Sequence, residues 1–278
     1  PTLTAEALLQ RLAPGNSGFL LEGAAFGEAT EGRMVIGVDP LLRLQLFAKY
    51  ALQMIGASCK RLDGKPLEVL QRRLDTLRCP QSKAGQRVCG KLVGYLDYDA
   101  VATWERVRGG SLPEERLLGE WILCRSLIFY DPKTQTAEVV CQTPVRKRRD
   151  AAKVYAAALR HLEHLLRRLE DCREEALTGE PVVFGAARRD AVVRQEYMGK
   201  VSAAKQYIQA GDAFQIVISQ PFAAPAGVTS PLYRYRQLKQ SNPSPYMFYF
   251  FAGRRTLLGT SPEMLVRVLD GRAYSRPI

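Results

Sequence analysis

Two polar side chains occupy predicted strands where they could take part in chemistry. Glu263 follows Ser261 and Pro262 in one such stretch, and Gln215 lies in the strand predicted for Phe214–Gln220. A glutamate serves as a general acid only when a shielded pocket raises its pKa, so that it keeps its proton near neutral pH. A glutamine can only donate and accept hydrogen bonds. Each residue also has an ordinary interpretation, a surface or ion-paired glutamate and a glutamine bonded to backbone.

Other catalytic and metal-binding patterns are missing from the sequence. It contains no Walker P-loop, no G-x-G-x-x-G and no G-x-S-x-G. His161 and His164 lack the H-E-x-x-H order of zinc proteases, so we expect both at the surface without a chemical role. The six cysteines have no C-x-x-C spacing, which predicts reduced thiols and no zinc site; they are Cys59, Cys79, Cys89, Cys124, Cys141 and Cys172.

The composition, 46% hydrophobic and 24% charged, indicates a globular protein. The formal charge of +12 is concentrated in 145–149 and in the helix that follows, without interleaved aromatic residues. This pattern favours a solvated face over a groove for nucleic-acid bases. No apolar run approaches the roughly 20 residues of a membrane span, and Pro1–Gln10 lacks the features of a secretion signal. We therefore expect a soluble, cytoplasmic protein.

The first half of the chain predicts a mixed α+β layer. Leucines at helical spacing indicate a helix over Pro66–Leu77. Short apolar segments bounded by turn residues indicate strands, and Asp131 with Pro132 predicts a hairpin, so the sheet is expected to be antiparallel. The predicted strand segments are Phe19–Leu21, Met34–Ile36, Leu42–Phe47, Leu92–Leu96, Ser126–Tyr130 and Thr136–Cys141.

The second half begins after a candidate linker, Ala176–Arg189, which follows a long helix from Asp150. We expect one domain over residues 1–180 and a second over 190–278. In the second, Gly211 is placed to end a helix in a left-handed conformation. The alternation in Phe214–Gln220 gives that strand one apolar and one partly polar face. The remaining predicted elements are the helix Gln195–Gln209, strands over Tyr246–Phe251 and Thr256–Val268, and a hairpin at Asp270-Gly271 leading into Ala273–Ile278.

Several stretches, in this order, resemble the chorismate-utilising enzymes, and most closely the branch of anthranilate synthase large subunits. The stretches are Phe19–Glu22, Gly94–Asp99, Ala210–Gln220, Ser241–Phe248, Gly259–Glu263 and Arg276–Ile278. The resemblance spans nearly the whole chain and implies an α+β fold, the two-sheet α/β sandwich of that family. It also implies that the C-terminal half of the sandwich, with most of the active site, is incomplete here.

The resemblance implies amination of chorismate at C2, loss of the C4 hydroxyl, and elimination of pyruvate to give anthranilate for tryptophan biosynthesis. Glu263 would be the general acid for departure of the hydroxyl, and Thr260 would contact the substrate. Gln215 would mark a site for ammonia, because related enzymes that add water carry a lysine there. Ammonia would come from a glutamine amidotransferase subunit. The family uses Mg²⁺, and its glutamate ligands are expected beyond Ile278, so this chain alone is expected to be inactive.

A feedback site for L-tryptophan is also implied by the resemblance, away from the catalytic centre. Glu22 would pair with the ammonium group of the inhibitor, and the prolines would shape a rigid wall. The family usually has serine where this chain has Gly23, so we expect Gly23→Ser to tighten tryptophan binding. The residues assigned to this site are Leu21, Glu22, Gly23, Asn242, Pro243, Ser244, Pro245, Tyr246 and Met247.

Two alternatives to the anthranilate assignment stay open. Aminodeoxychorismate synthase of the folate pathway shares the same motifs, although the residues around Gln215 and Tyr246 resemble anthranilate synthase more closely. A non-catalytic fragment that senses an amino acid is the third interpretation.

Overall fold

The computed structural model describes residues 4–13, 17–23, 34–77, 90–107, 112–145, 147–170, 191–223, 225, 229–269 and 271–275. The helices are α1 (Ala5–Leu12), α2 (Pro66–Thr76), α3 (Ala151–Glu170), α4 (Ala191–Gln209) and α5 (Pro231–Ser241). The strands are β1 (Ser17–Gly23), β2 (Met34–Leu46), β3 (Tyr50–Ile55), β4 (Ser58–Asp63), β5 (Val93–Leu96), β6 (Gly119–Asp131), β7 (Thr136–Cys141), β8 (Tyr246–Ala252), β9 (Arg255–Ser261), β10 (Arg267–Leu269) and β11 (Arg272–Tyr274).

Two long antiparallel strands, β2 and β6, pair along their whole length and form the spine of the main sheet. The sequence predicted two separate segments in place of β2, because Asp39 and Pro40 are turn residues. In the structure these residues form a bulge: Asp39 has a φ of +58°, and the register shifts between Pro40 and Leu42. An extra residue at a bulge bends a strand without ending it, so one strand serves two parts of the sheet.

The two halves of the β2–β6 pair have different neighbouring strands. Beside the first half of β2 lie β1, β8 and β9 in that order, and β7 pairs with the second half of β6. Beside the second half of β2 lie β3 and β4, and β5 pairs with the first half of β6. The rings of Tyr95 in β5 and Phe250 in β8 meet edge to face at 5.8 Å between centroids, so the two parts face each other. The expected fold of helices and antiparallel sheet is confirmed.

The apolar core follows this division. One cluster lies between the facing parts of the sheet and contains Phe19, Val35, Ile122, Cys124, Leu127, Phe129, Phe250 and Ala252. A second cluster contains Leu42, Leu44, Leu46, Ala51, Val69, Leu70 and Leu123, of which Val69 and Leu70 come from α2. Leu42, Leu44 and Leu46 are spaced by two, as are Leu127 and Phe129, and the strands were predicted there. The first half of β6, with Ile122 and Cys124, was not predicted.

Helix α3 begins where the sequence predicted, but one of its histidines does not lie free at the surface. His161 is partly buried, with Nε2 at 2.8 Å from Ser126 Oγ and 3.2 Å from Asp39 Oδ2. His164 is exposed, as expected. The prediction was wrong for His161 because the buried stripe of α3 runs through Leu165 and the residues one turn before it.

The chain forms two compact units, residues 1–177 with 235–278, and residues 178–234. The C-terminal segment joins the first unit because β8 pairs with β1. The predicted linker, Ala176–Arg189, lies outside the described residues, and the domain boundary expected at 180–190 stays a prediction. Among the described helices, none is long and apolar enough to cross a membrane.

The second unit contains α4 and the chain that follows it. The helix ends as predicted at Gly211, which has a φ of +83°. Asp212 N–H donates to the Tyr207 carbonyl at 3.0 Å, and Gly211 N–H donates to the Ile208 carbonyl at 3.1 Å. These two bonds are the Schellman ending that a glycine permits.

The strand predicted for Phe214–Gln220 is wrong. This segment has no regular secondary structure, and Phe214 and Val217 are exposed. An alternating pattern gives a segment one apolar and one polar face, but the segment forms a strand only when its backbone hydrogen-bonds to a neighbouring strand. The described residues provide no paired strand beside this segment. The hairpin predicted around Gly271 is confirmed, since β10 and β11 pair antiparallel and Gly271 has a φ of +74°.

Candidate functional site

The residues assigned to a regulatory site come together on adjacent strands. In the pairing of β1 with β8, Glu22 lies opposite Met247 and Gly23 lies opposite Tyr246. In the pairing of β8 with β9, Met247 lies opposite Thr260. Residues from the two ends of the chain therefore share one three-stranded patch. The structure supports their proximity, and their roles stay predictions.

The turn before β8 holds the remaining members of this set. Asn242 N–H donates to the Leu238 carbonyl at 2.8 Å at the end of α5, and its side-chain amide donates to Thr260 Oγ1 at 3.2 Å. Asn242, Pro243 and Pro245 are exposed, and Ser244 is partly buried. The bond from Asn242 links the turn to β9, so a residue assigned to the regulator contacts one assigned to the substrate.

Gly23 is required by the backbone at this position. Its φ is +87°, which L side chains rarely adopt, and a Cβ there would overlap the Pro245 carbonyl oxygen. The backbone therefore argues against the expectation that Gly23→Ser tightens tryptophan binding, because the added Cβ has no space. The glycine allows β1 and the turn before β8 to approach closely. The sequence did not indicate this constraint, because the family usually has serine at this position.

The carboxylate of Glu22 is already satisfied by the chain itself. Glu22 is 2% exposed; its Oε1 accepts a 2.7 Å hydrogen bond from the Tyr235 hydroxyl, and its Oε2 lies 2.5 Å from Lys239 Nζ. Lys239 also reaches Glu6 Oε1 at 3.3 Å, and Glu6 is 4% exposed. We call Glu6, Glu22, Tyr235 and Lys239 the buried ionic cluster. It ties α1, β1 and α5 together.

The pKa shifts in the cluster follow from these contacts. Burial alone lowers the pKa of Lys239, but the negative charges of Glu22 and Glu6 outweigh it and leave that pKa raised. Burial, and then the charge of Glu22, raise the pKa of the Tyr235 hydroxyl. Lys239 is thus held as a cation and Tyr235 as a neutral donor. A ligand ammonium could use Glu22 only by displacing Lys239.

Strands β1, β8 and β9, together with β5, also line a cavity of about 600 Å³. Side chains alternate along a strand, so Leu21 faces the cavity while Glu22 faces α5. The cavity closes against β5 and the 3₁₀ turn Tyr98–Thr103 that follows it. Its lining residues are Leu21, Val93, Gly94, Tyr95, Leu96, Asp97, Tyr98, Tyr246, Met247, Phe248, Phe250 and Leu257.

A second buried carboxylate, Glu120, holds one wall of this cavity. It accepts hydrogen bonds from Arg43 at 2.7 Å, from Gln45 at 2.9 Å and from the Tyr95 hydroxyl at 3.2 Å. Burial, followed by the charge of Glu120, raises the pKa of Tyr95 to about 12. Tyr95 is therefore fixed as a neutral ring whose hydroxyl points to Glu120. The partners explain how a fully buried carboxylate is tolerated.

The predicted catalytic residues lie at or beyond the ends of regular elements. Glu263 follows β9 in an exposed stretch, and its carbonyl accepts a 3.3 Å hydrogen bond from Ser261 Oγ. The described residues leave this side chain exposed, without the shielding that a general acid needs. Thr260 lies near the end of β9, beside the turn at Asn242. Gln215 belongs to the second unit, where it is exposed.

No group of three or more metal-ligating side chains occurs among the described residues. Among the cysteines, Cys59, Cys124 and Cys141 are free thiols, and the other three lie outside the described part of the chain. Burial raises the pKa of the Cys124 thiol, which leaves it unreactive.

Sequence reasoning missed Lys239, Tyr235, Glu6 and Asp97. One signal pointed to the first three: Glu22 stands in an apolar strand, and a charge buried there needs a partner. The partner itself comes from α5, a helix that the sequence pattern did not predict. Asp97 belongs to the Gly94–Asp99 stretch, for which the resemblance implied no individual role.

Comparison with known proteins shows which family the chain resembles over most of its length. The chain matches the family described as chorismate binding enzyme over residues 26–278. It is 31% identical over 294 residues to anthranilate synthase component 1 of Cereibacter sphaeroides, covering 99% of this chain and 56% of that protein. It is 28% identical to the protein of the same name from Acetivibrio thermocellus, covering 98% of this chain and 56% of that protein.

A solved structure shows the same fold. The crystal structure of anthranilate synthase component I from Streptococcus pneumoniae matches with a TM-score of 0.61 and 22% identity, over 87% of this chain and 52% of that one. The chain spans about half the length of the curated relatives it matches.

Proposed function

We propose that this chain, which belongs to the family of chorismate binding enzymes, carries the N-terminal half of an enzyme that converts chorismate to anthranilate. The observation that carries the proposal is the family match over residues 26–278, which includes Gln215, Thr260 and Glu263. Relatives that align with nearly the whole chain carry the name anthranilate synthase component 1, which favours this product over aminodeoxychorismate.

In the proposed reaction ammonia adds at C2 of chorismate, the C4 hydroxyl leaves, and pyruvate is eliminated. Glu263 donates the proton that lets the hydroxyl leave as water. Its exposure means that the proposal requires further chain or substrate to enclose the carboxyl and raise its pKa. Gln215 orients ammonia by hydrogen bonds, because ammonia is already nucleophilic and needs no base.

Three further components belong to the proposal. A glutamine amidotransferase subunit supplies ammonia, and L-tryptophan acts as a feedback inhibitor at the patch formed by β1 and β8. Mg²⁺ is the proposed cofactor, with ligands outside the described residues. Chorismate carries two carboxylates, so a divalent cation is a suitable partner for one of them.

The experiment compares this chain alone with a fusion to the C-terminal remainder of the Cereibacter sphaeroides relative. With chorismate, ammonia and Mg²⁺, we expect the fusion to form anthranilate, measured by fluorescence and chromatography, and the chain alone to form none. Turnover by the chain alone, or aminodeoxychorismate as the fusion's product, would contradict the proposal.

The role of Glu263 is tested in the same fusion. Glu263→Gln keeps the shape of the side chain but removes the transferable proton, so we expect kcat to fall by roughly 10² to 10⁴ with little change in chorismate affinity. Glu163→Gln on the exposed face of α3 is the matched control and should leave kcat unchanged. An unchanged kcat in Glu263→Gln would remove this residue from the mechanism.

A further inference from the structure

The hydroxyl of Thr260 has a partner that restricts the direction of its proton. The side-chain amide of Asn242 donates a hydrogen bond from Nδ2 to Thr260 Oγ1 at 3.2 Å. A threonine hydroxyl has one proton to donate and can accept two hydrogen bonds, whereas an amide N–H can only donate. The proton of the Thr260 hydroxyl therefore cannot be given to Nδ2 and must point to a different acceptor.

The backbone around Asn242 fixes the position of this amide. The Asn242 N–H donates to the Leu238 carbonyl at 2.8 Å, which anchors the residue to the end of α5. The next residue is Pro243, and a residue that precedes proline is restricted to extended backbone conformations. The short side chain of Asn242 is therefore presented to β9 from a backbone with little freedom.

Helix α5, which Asn242 directly follows, is held on the face of the sheet that carries Thr260. Glu22 lies opposite Met247, and Met247 lies opposite Thr260 on the next strand. Side chains directly opposite each other on paired strands share a face. Glu22 is bonded to Lys239 of α5 at 2.5 Å, so this contact fixes the helix over the row. Asn242 then reaches Thr260 from the end of the helix.

The orientation of the hydroxyl suits a substrate that carries carboxylates. The carboxylates of chorismate accept hydrogen bonds and, when ionised, have no proton to donate. We propose that Asn242 is a positioning residue, whose amide orients the Thr260 hydroxyl as a hydrogen-bond donor to a carboxylate oxygen of the substrate. This inference rests on the proposed function, because it takes Thr260 as a substrate contact. It gives Asn242 a role at the catalytic strand, apart from the regulatory role that the resemblance implied.

The test uses the fusion described above and measures the chorismate KM and kcat for anthranilate formation, with the chorismate Kd from calorimetry. Asn242→Ala leaves the hydroxyl free to rotate, so we expect KM and Kd to rise about 3- to 10-fold with little change in kcat. Asn242→Asp replaces the amide donor by an acceptor. The hydroxyl then turns towards position 242 and away from the substrate, so we expect a rise of about 30-fold or more.

Thr260→Val distinguishes positioning from a purely structural role, because valine has a similar shape but no hydroxyl. If Asn242 acts through that hydroxyl, Asn242→Ala should change KM by less than about 2-fold in a chain that already carries Thr260→Val. A structural role would give the same factor with and without Thr260→Val. Ser241→Ala is the matched control, since Ser241 Oγ donates back to the Leu238 carbonyl of α5 at 3.2 Å, and it should leave KM and kcat unchanged.

The proposal is overturned if Asn242→Asp keeps the wild-type KM and Kd, or if Asn242→Ala has the same effect in both backgrounds. It is also overturned if the fusion does not bind chorismate. A fusion that binds chorismate with the expected order of variants, yet forms no anthranilate, would support the positioning role and contradict the proposed reaction. The two failures are therefore distinguishable.

Discussion

Replacing Lys239 by methionine tests the buried ionic cluster, and we expect it to destabilise the first unit strongly. Methionine keeps most of the volume of the lysine stem but removes the charge. Glu22 at 2% exposure and Glu6 at 4% would then remain as two buried carboxylates without the cation between them. Tyr235 would still donate to Glu22, but one neutral hydrogen bond does not offset a buried charge.

The magnitude follows from the burial of the cluster. Removing one partner of a buried ion pair costs about 3–5 kcal/mol, because the other charge is left uncompensated. Lys239 is 27% exposed, so water reaches part of the ammonium group and the lower end of that range applies. Even this loss is a large part of the roughly 5–15 kcal/mol that stabilises a typical domain.

The assay is urea unfolding of the whole chain followed by circular dichroism and intrinsic fluorescence. We expect Lys239→Met to lower the midpoint by about 1 M or more. Lys153→Met, on an exposed position of α3, is the control and should change the free energy of unfolding by less than about 0.5 kcal/mol. The combination of Lys239→Met with Glu6→Gln and Glu22→Gln removes all three charges, so it should recover most of the lost stability.

The reasoning fails if Lys239→Met unfolds within about 1 kcal/mol of the wild type. It also fails if the triple substitution is no more stable than the single one. Either result would mean that water screens the carboxylates and that the cluster is not what joins α1 and α5 to β1.

Two other changes probe the backbone and the cavity wall. We expect Gly23→Ser to lower the thermal midpoint and to weaken tryptophan binding, because a Cβ overlaps the Pro245 carbonyl and the φ of +87° disfavours it. Gly56→Ser, which shares a positive φ of +56° but has open space around it, is the control for the overlap in calorimetry and scanning fluorimetry. Equal or tighter tryptophan binding by Gly23→Ser would contradict the placement. The pKa of Tyr95 is raised to about 12, so the unfolded chain loses this proton near pH 10 while the folded chain keeps it, and stability falls as pH rises between these values. Tyr95→Phe should therefore show a smaller fall in urea midpoint than the wild type between about pH 9 and 11. Parallel curves of midpoint against pH for the two proteins would refute this assignment.

The elements that the sequence predicted well are those with strong local patterns. The hairpin arm Thr136–Cys141 is the strand β7, because Asp131 Oδ1 accepts from Lys133 N–H at 2.9 Å and sets the turn as an aspartate should. The end of α4 at Gly211 was predictable for the same reason. By contrast, the hairpin formed by β3 and β4 was missed, since the residues of β4 are mostly polar and exposed and give no apolar alternation.

The failure at Phe214–Gln220 has a different cause. The apolar alternation is present, but strand formation depends on a neighbouring strand that the local sequence does not identify. β8 illustrates the opposite case: its apolar run pairs with both β1 and β9, so pattern and partners agree. Alternation therefore indicates which faces a strand would have, but it does not show that the strand has a hydrogen-bonded neighbour. This is why Gln215 is exposed in a segment that was expected to form a strand.

The site residues show most clearly what a linear pattern leaves out. Glu22 and Lys239 are 217 positions apart, and only the register of β1 against β8 and the packing of α5 bring their charges to 2.5 Å. A motif identifies Glu22 as special, yet two interpretations fit that fact, a ligand contact and a buried structural charge. The face on which the side chain lies decides between them, because Leu21 takes the cavity face and leaves Glu22 to α5. A change of register by one residue would exchange the two, so the assignment of the ammonium contact depends on strand register before it depends on residue type.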